Sequence, residues 1–181
     1  MRVKKNGGFS LVELVVVMAI MVVMASGSVL LFSSMSSYKC KTAKDQICTN
    51  LKETKTEALA KQTEWMEICK DSNGFKIKRS YNANDTNLSS KIRISYVEQG
   101  AAAETEIDSS HSLILTYTRG SGAFEGIKTS TTPDSEGKLP DQMNGTSIVY
   151  CEKIHVQNLA RTKGYTITLN QETGKFVCVE D

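Results

Sequence analysis

Between Phe9 and Phe32, a run of 24 positions, Glu13 is the sole ionisable residue, whereas from Lys39 onward apolar and charged residues alternate over a few positions. About 20 apolar residues are what a helix needs to cross a bilayer. After Phe32 the pattern becomes amphipathic: Met35, Tyr38, Ile47, Leu51 and Ala58 recur at helical spacing among Lys39, Lys41, Lys44, Lys52, Glu53 and Lys55. Neither Pro nor Gly interrupts Ser28 to Asn73. The pattern predicts one helix from about Phe9 to about Lys61, roughly 80 Å long at 1.5 Å per residue. Its first half belongs in apolar surroundings and its second half packs on a sheet.

From Thr63 the period shortens to that of strands. Runs at Glu64–Cys69, Gly74–Arg79, Lys91–Val97, Ser112–Thr118, Ser147–Val156, Tyr165–Leu169 and Lys175–Val179 are alternating or β-branched. Turn residues separate them: Asp71-Ser72-Asn73-Gly74, Asn82-Ala83-Asn84-Asp85, Gly120-Ser121-Gly122 and Asn170-Gln171-Glu172-Thr173-Gly174. The last joins the two final runs as a hairpin, and Thr129–Gly145 reads as an exposed loop. The expected fold is α+β, a long N-terminal helix packed on an antiparallel β-sheet head. Four segments follow: 1–8 as a short leader, 9–32 as a membrane-spanning helix, 33–62 as a helical stem and 63–181 as a β-rich head.

Three kinds of segment fit Met1–Phe32. It has the basic start, apolar middle and small residues (Ala25-Ser26-Gly27) of a cleaved secretory signal. It is also long enough for a plain membrane anchor. Glu13 argues against both, because a carboxylate in an apolar helix costs on the order of 2.5–3.5 kcal/mol at the bilayer centre, and neither gains from it. The third kind is carried by Gly7-Gly8-Phe9-Ser10-Leu11-Val12-Glu13-Leu14 behind Lys4 and Lys5. This stretch resembles the G-F-[ST]-L-x-E-L box of type IV prepilins and type II secretion pseudopilins.

The resemblance implies specific roles. Gly8 would precede the bond cut by a membrane aspartyl prepilin peptidase, and Phe9 would become the N-methylated new N-terminus. Glu13 would meet the amino terminus of a neighbouring subunit, pairing two charges that are costly to bury alone and fixing register between subunits. The implied partners are the peptidase, the inner-membrane assembly platform and other pilins. The implied location is the cytoplasmic membrane with the head outside the cytoplasm, then a pilus or pseudopilus at the cell surface. Family members often carry a helix-breaking proline where this chain has Leu30, and here the prolines are Pro133 and Pro140. Ser26-Gly27-Ser28 offers instead a packing notch or a point of local melting. The passage from Leu51–Ala58 into Trp65-Met66-Glu67-Ile68-Cys69 also resembles the helix-to-strand transition of GspH/FimT-type minor pseudopilins.

Charge and cysteines refine this picture. The formal net charge is +2, from 22 basic and 20 acidic residues; losing Arg2, Lys4 and Lys5 with a leader leaves 19 against 20. Such a near-neutral body lacks the footprint that drives DNA binding. A DNA-binding minor pilin of a competence system is the alternative, resting on Lys76, Lys78, Lys91 and Arg93, which would form a basic stripe if their strands paired. The acidic end, Cys178-Val179-Glu180-Asp181, argues against it. Of five cysteines, Cys40 and Cys48 stand about 12 Å apart along the helix and cannot pair with each other. Cys69, Cys151 and Cys178, in predicted strands, are the candidates for a disulfide, with the connectivity open. No ligand spacing for zinc, phosphate loop, dinucleotide turn or nucleophile motif occurs, so no cofactor and no catalysis are expected, and His111 beside Ser109 and Ser110 reads as a surface strand edge.

Overall fold

The computed structural model describes residues 10–60, 64–80, 82–130 and 150–181, with backbone alone at 25–35, 82, 83 and 125–130. The expected leader and the loop residues after Ser130 lie outside the described residues. One helix, α1 (Leu11–Ala60), is followed by β1 (Glu64–Asp71), β2 (Gly74–Arg79), β3 (Asn82–Asn87), β4 (Ile92–Glu98), β5 (Glu104–Glu106), β6 (Ser112–Tyr117), β7 (Phe124–Ser130), β8 (Cys151–Asn158), β9 (Gly164–Asn170) and β10 (Lys175–Glu180). The chain divides into two compact units, Met1–Met35 and Ser36–Asp181.

In the first unit the helix opens at Ser10, whose carbonyl accepts from the Leu14 amide at 3.1 Å. Glu13 sits in the first turn, where the unsatisfied N–H groups of a helix favour a carboxylate. All side chains from Ser10 to Met24 are exposed.

The second unit is built around the remainder of α1. Cys40, Ala43, Ile47, Leu51, Thr54 and Ala58 are buried, and their spacing of three or four keeps them on one helix face. Tyr38, expected on this face, is 71% exposed. It lies two positions from Cys40, about 200° around the helix, and so points away from the core.

The head contains two five-stranded antiparallel sheets rather than one. Their orders are β3-β2-β1-β6-β7 and β10-β9-β8-β4-β5. In the first, Ile68 sits between Ile77 and Leu113, and Met66 opposes Leu115. In the second, Ile94 opposes Val156 and Ile154 opposes Ile167. These side chains join the buried face of α1 in a single core, closed at one end by Tyr117 and Phe124, whose rings lie 4.5 Å apart.

Seven strand runs match β1, β2, β4, β6, β8, β9 and β10, and the final hairpin pairs Lys175 with Asn170 through Glu180 with Tyr165. β3, β5 and β7 are additional. β3 is the polar Asn82–Asn87, part of which reads as a turn; it is held at the sheet edge by backbone pairing of Ile77 with Thr86 and Lys76 with Asn87. An edge strand needs no apolar side chains to complete its ladder, so the alternation that marks the other strands is missing.

Candidate functional site

Gly8 and Phe9, the expected cleavage and methylation positions, lie outside the described residues. Glu13 does not, and its surroundings are informative. Twelve large apolar side chains from Leu11 to Met24 are between 44% and 80% exposed, on every side of the helix. A helix apolar all round is a helix made to be surrounded. At about 1.5–3 kcal/mol per fully buried side chain, covering these twelve is worth on the order of 10 kcal/mol or more. Glu13 is the one charge on this surface. Among the described residues no helix is long and apolar enough to cross a membrane; of the expected span, 9–32, Phe9 lies outside the described residues and 25–32 are described by their backbone alone.

The described residues of the head offer no comparable feature. Asp108, Ser110 and His111 are mutually bonded: Ser110 Oγ donates to Asp108 Oδ1 at 2.7 Å, and His111 Nδ1 lies 3.0 Å from the same oxygen. The amides of Ser110 and His111 also donate to Oδ1. A nucleophilic triad needs the imidazole between hydroxyl and carboxylate, one nitrogen on each. Here one carboxylate oxygen gathers every donor, which makes a turn cap and holds the Asp108 carboxyl well below the usual range. His111 therefore sits in the turn before β6. Among the described residues no group of three His, Cys, Asp or Glu side chains is placed to hold a metal ion. An open groove of about 480 Å³ beside the stem is lined by Tyr38, Lys41, Asp45, Gln46, Glu53 and Arg79 among others, without a convergent set of donors or acceptors.

The expected basic stripe does not form. Lys76 and Lys78 lie on β2 in the first sheet, and Arg93 lies on β4 in the second. Each also has an acid beside it: Lys76 Nζ is 2.7 Å from Asp71, Lys78 Nζ 3.6 Å from Glu67 and Arg93 Nε 2.7 Å from Glu106. The Lys76 ammonium, then the Asn73 amide, hold the Asp71 carboxyl low. Cations neutralised in pairs leave little field for a phosphate backbone.

The structure joins none of the five cysteines by a disulfide. Of the three candidates for a disulfide, Cys69 is on β1 in the first sheet, while Cys151 and Cys178 are two strands apart in the second. Two strand spacings are about 9.5 Å, beyond a disulfide's reach. The neighbour of Cys178 is Cys48 on α1, with the sulfur atoms 2.7 Å apart. Burial, with the Cys178 contact adding to it, pushes the Cys48 thiol up to about 12. The sequence could not supply this pair, because it depends on which face of β10 meets which turn of the helix.

Comparison with known proteins gives one match. Residues 3–29 fit the family model of the prokaryotic N-terminal methylation motif. No curated protein and no solved structure matches the chain.

Proposed function

We propose that the chain, whose residues 3–29 fit the prokaryotic N-terminal methylation motif, is a structural subunit of the type IV prepilin kind, a minor pilin or pseudopilin. On this reading a prepilin peptidase removes residues 1–8 after Gly8, and Phe9 becomes the methylated N-terminus. Residues 9–32 anchor the chain in the cytoplasmic membrane with 33–62 as stem and 63–181 as head outside the cytoplasm. The subunit then leaves the bilayer for a pilus, type II secretion or competence filament through the assembly platform. Its partners are other pilins, and the filament is its function.

The observation that carries this reading is the exposed, all-apolar surface from Leu11 to Met24 with Glu13 at its head. Lipid covers such a surface before assembly and neighbouring helices cover it afterwards, so one surface serves both states. In the filament Glu13 pairs with a neighbour's Phe9 amino group, which sets axial register. The competence variant with DNA capture loses its support with the divided basic residues.

Processing tests the proposal. Intact-mass measurement of membrane fractions is expected to give a mature chain beginning at Phe9 with an added methyl group, and Gly8→Val is expected to retain the leader. A native N-terminus at Ser28 would contradict it and identify a secretory signal.

A further inference from the structure

The C-terminal strand lies along the stem in a fixed register. Lys44 Nζ stands 5.3 Å from the centre of the Tyr165 ring, and Tyr165 pairs with Glu180 across the final hairpin. One turn on, Cys48 meets Cys178. A further turn on, Lys52 Nζ lies 5.9 Å from the Phe176 ring, and Lys55 Nζ donates to the Thr173 carbonyl at 2.6 Å. Positions 44, 48, 52 and 55 share one face of α1. They meet the hairpin in descending order, from its C-terminal end back to its turn. The thiol pair is the second contact of the four, with Lys44 before it and Lys52 after it, so its approach is fixed from both sides.

This seam holds an edge strand of the head. β10 ends its sheet with β9 as its partner, and Val177 and Val179 on its outer face are 64% and 55% exposed. Phe176 and Cys178, on the other face, pack against the core. An edge strand with one ladder frays first.

We propose that Cys48 and Cys178 form a disulfide that clasps the C-terminal strand to the helical stem. The bond rests on the export of the head that the proposed function requires, since oxidation needs a compartment outside the cytoplasm. The oxidant is a disulfide-bearing thiol oxidase of that compartment. Cys178, on the edge strand, attacks the oxidant's disulfide as thiolate and releases one of its thiols. Cys48 then displaces the second, closing the Cys48–Cys178 bond. Two thiols are oxidised, one oxidant disulfide is reduced to two thiols, and the two protons pass to those thiols. The clasp closes a loop across 130 positions, long enough to restrict the unfolded chain strongly.

The test is thiol mapping of the full chain taken from its native membrane. Free thiols are blocked with N-ethylmaleimide, and the sample is reduced and tagged with a maleimide polymer. Two tags per chain are expected, with one linked peptide pair containing Cys48 and Cys178 and no disulfide-linked dimer. Cys48→Ser and Cys178→Ser are each expected to abolish both tags, whereas Cys69→Ser leaves them. Reduction of the unmutated chain is expected to lower its melting midpoint by about 10 °C, a readout independent of whether a serine variant folds. Protease accessibility of the head is measured in parallel. An exported head with five free thiols overturns the clasp and leaves the proposed function standing, as does a linkage through Cys69 or Cys151. A cytoplasmic head overturns the proposed function instead. The clasp is then judged on the purified full chain treated with oxidised glutathione, where any map other than Cys48–Cys178 overturns it.

Discussion

Arg79 closes β2 with only 8% of its side chain exposed, and its Nη1 lies 2.9 Å from Glu53 and 3.7 Å from Glu57. The two glutamates are one turn apart on α1, so this contact ties the stem to the first sheet. The partners are unequally exposed, at 51% for Glu53 and 25% for Glu57. That inequality predicts an asymmetry between two ways of breaking the contact. Arg79→Met keeps the packed stem of the side chain and leaves Glu53 in water and Glu57, partly exposed though its Oε2 is buried, to turn outward, so the expected loss is about 1 kcal/mol. Replacing Glu53 and Glu57 together by Gln leaves a guanidinium enclosed without a counter-charge. Loss of a partner from a fully buried pair costs about 3–5 kcal/mol, and the exposure of Glu53 reduces this to about 2–3. Urea unfolding followed by tryptophan fluorescence of Trp65, which neighbours the contact on β1, gives the comparison. With a slope of about 2 kcal/mol per molar, the double Gln variant is expected to unfold about 1–1.5 M earlier and Arg79→Met within about 0.5 M of the parent. A Met variant as unstable as the double Gln variant would refute the reasoning.

Two further predictions concern the C-terminal hairpin. Gly174 has φ +58°, and a Cβ built there falls inside contact distance of the Gly122 carbonyl oxygen. Gly174→Ala therefore combines a left-handed backbone with an overpacked contact and is expected to cost about 2–4 kcal/mol in thermal or urea unfolding; an unchanged midpoint would contradict this. The Cys48 thiol, facing Lys44, Asp45 and Cys178, is raised to about 12 mainly by burial, against about 8.5 in the unfolded chain. A raised pKa gives stability that is full below the unfolded value and lost as pH rises towards the folded one. The reduced chain is thus expected to lose stability between about pH 8.5 and 12, and the oxidised chain, with no thiol to ionise there, to lose less. Equal alkaline slopes in the two forms would contradict it.

The sequence made the fold legible where side chains carry it. The 3-4 spacing along Ile47, Leu51 and Ala58 marked the buried face of the stem, and alternation marked the seven strands with a core-facing side. Tyr38 misled because an aromatic residue in an amphipathic helix reads as buried, while the true face is completed by Cys40, Ala43 and Thr54, small residues with little hydropathy signal. β3 was hidden because Asn82–Asn87 joins β2 through a backbone ladder that polar residues complete as well as apolar ones. Division into two sheets was not legible either, since alternation gives the face of a strand and not its neighbour; that is why Lys76 and Arg93 could be imagined side by side. The approach of Cys48 to Cys178 was not legible for the same reason, being a property of how β10 meets α1. The Gly-Phe box with Glu13 was legible outright, because its information lies in residue identity and spacing rather than in packing.

Glu13 bears the central claim. Before assembly its carboxylate is a liability in an apolar helix, so Glu13→Ala is expected to leave membrane anchoring intact and leader cleavage unchanged, with Gly8 untouched. In the filament the substitution removes one member of a buried pair, a loss of about 3–5 kcal/mol that suffices to exclude the subunit. The measurement is the partition of the Glu13→Ala chain between sheared surface filaments and membranes, probed with an antibody to residues 36–181. The account predicts a processed chain retained in the membrane and absent from the sheared fraction. Parental amounts in the sheared fraction would contradict it.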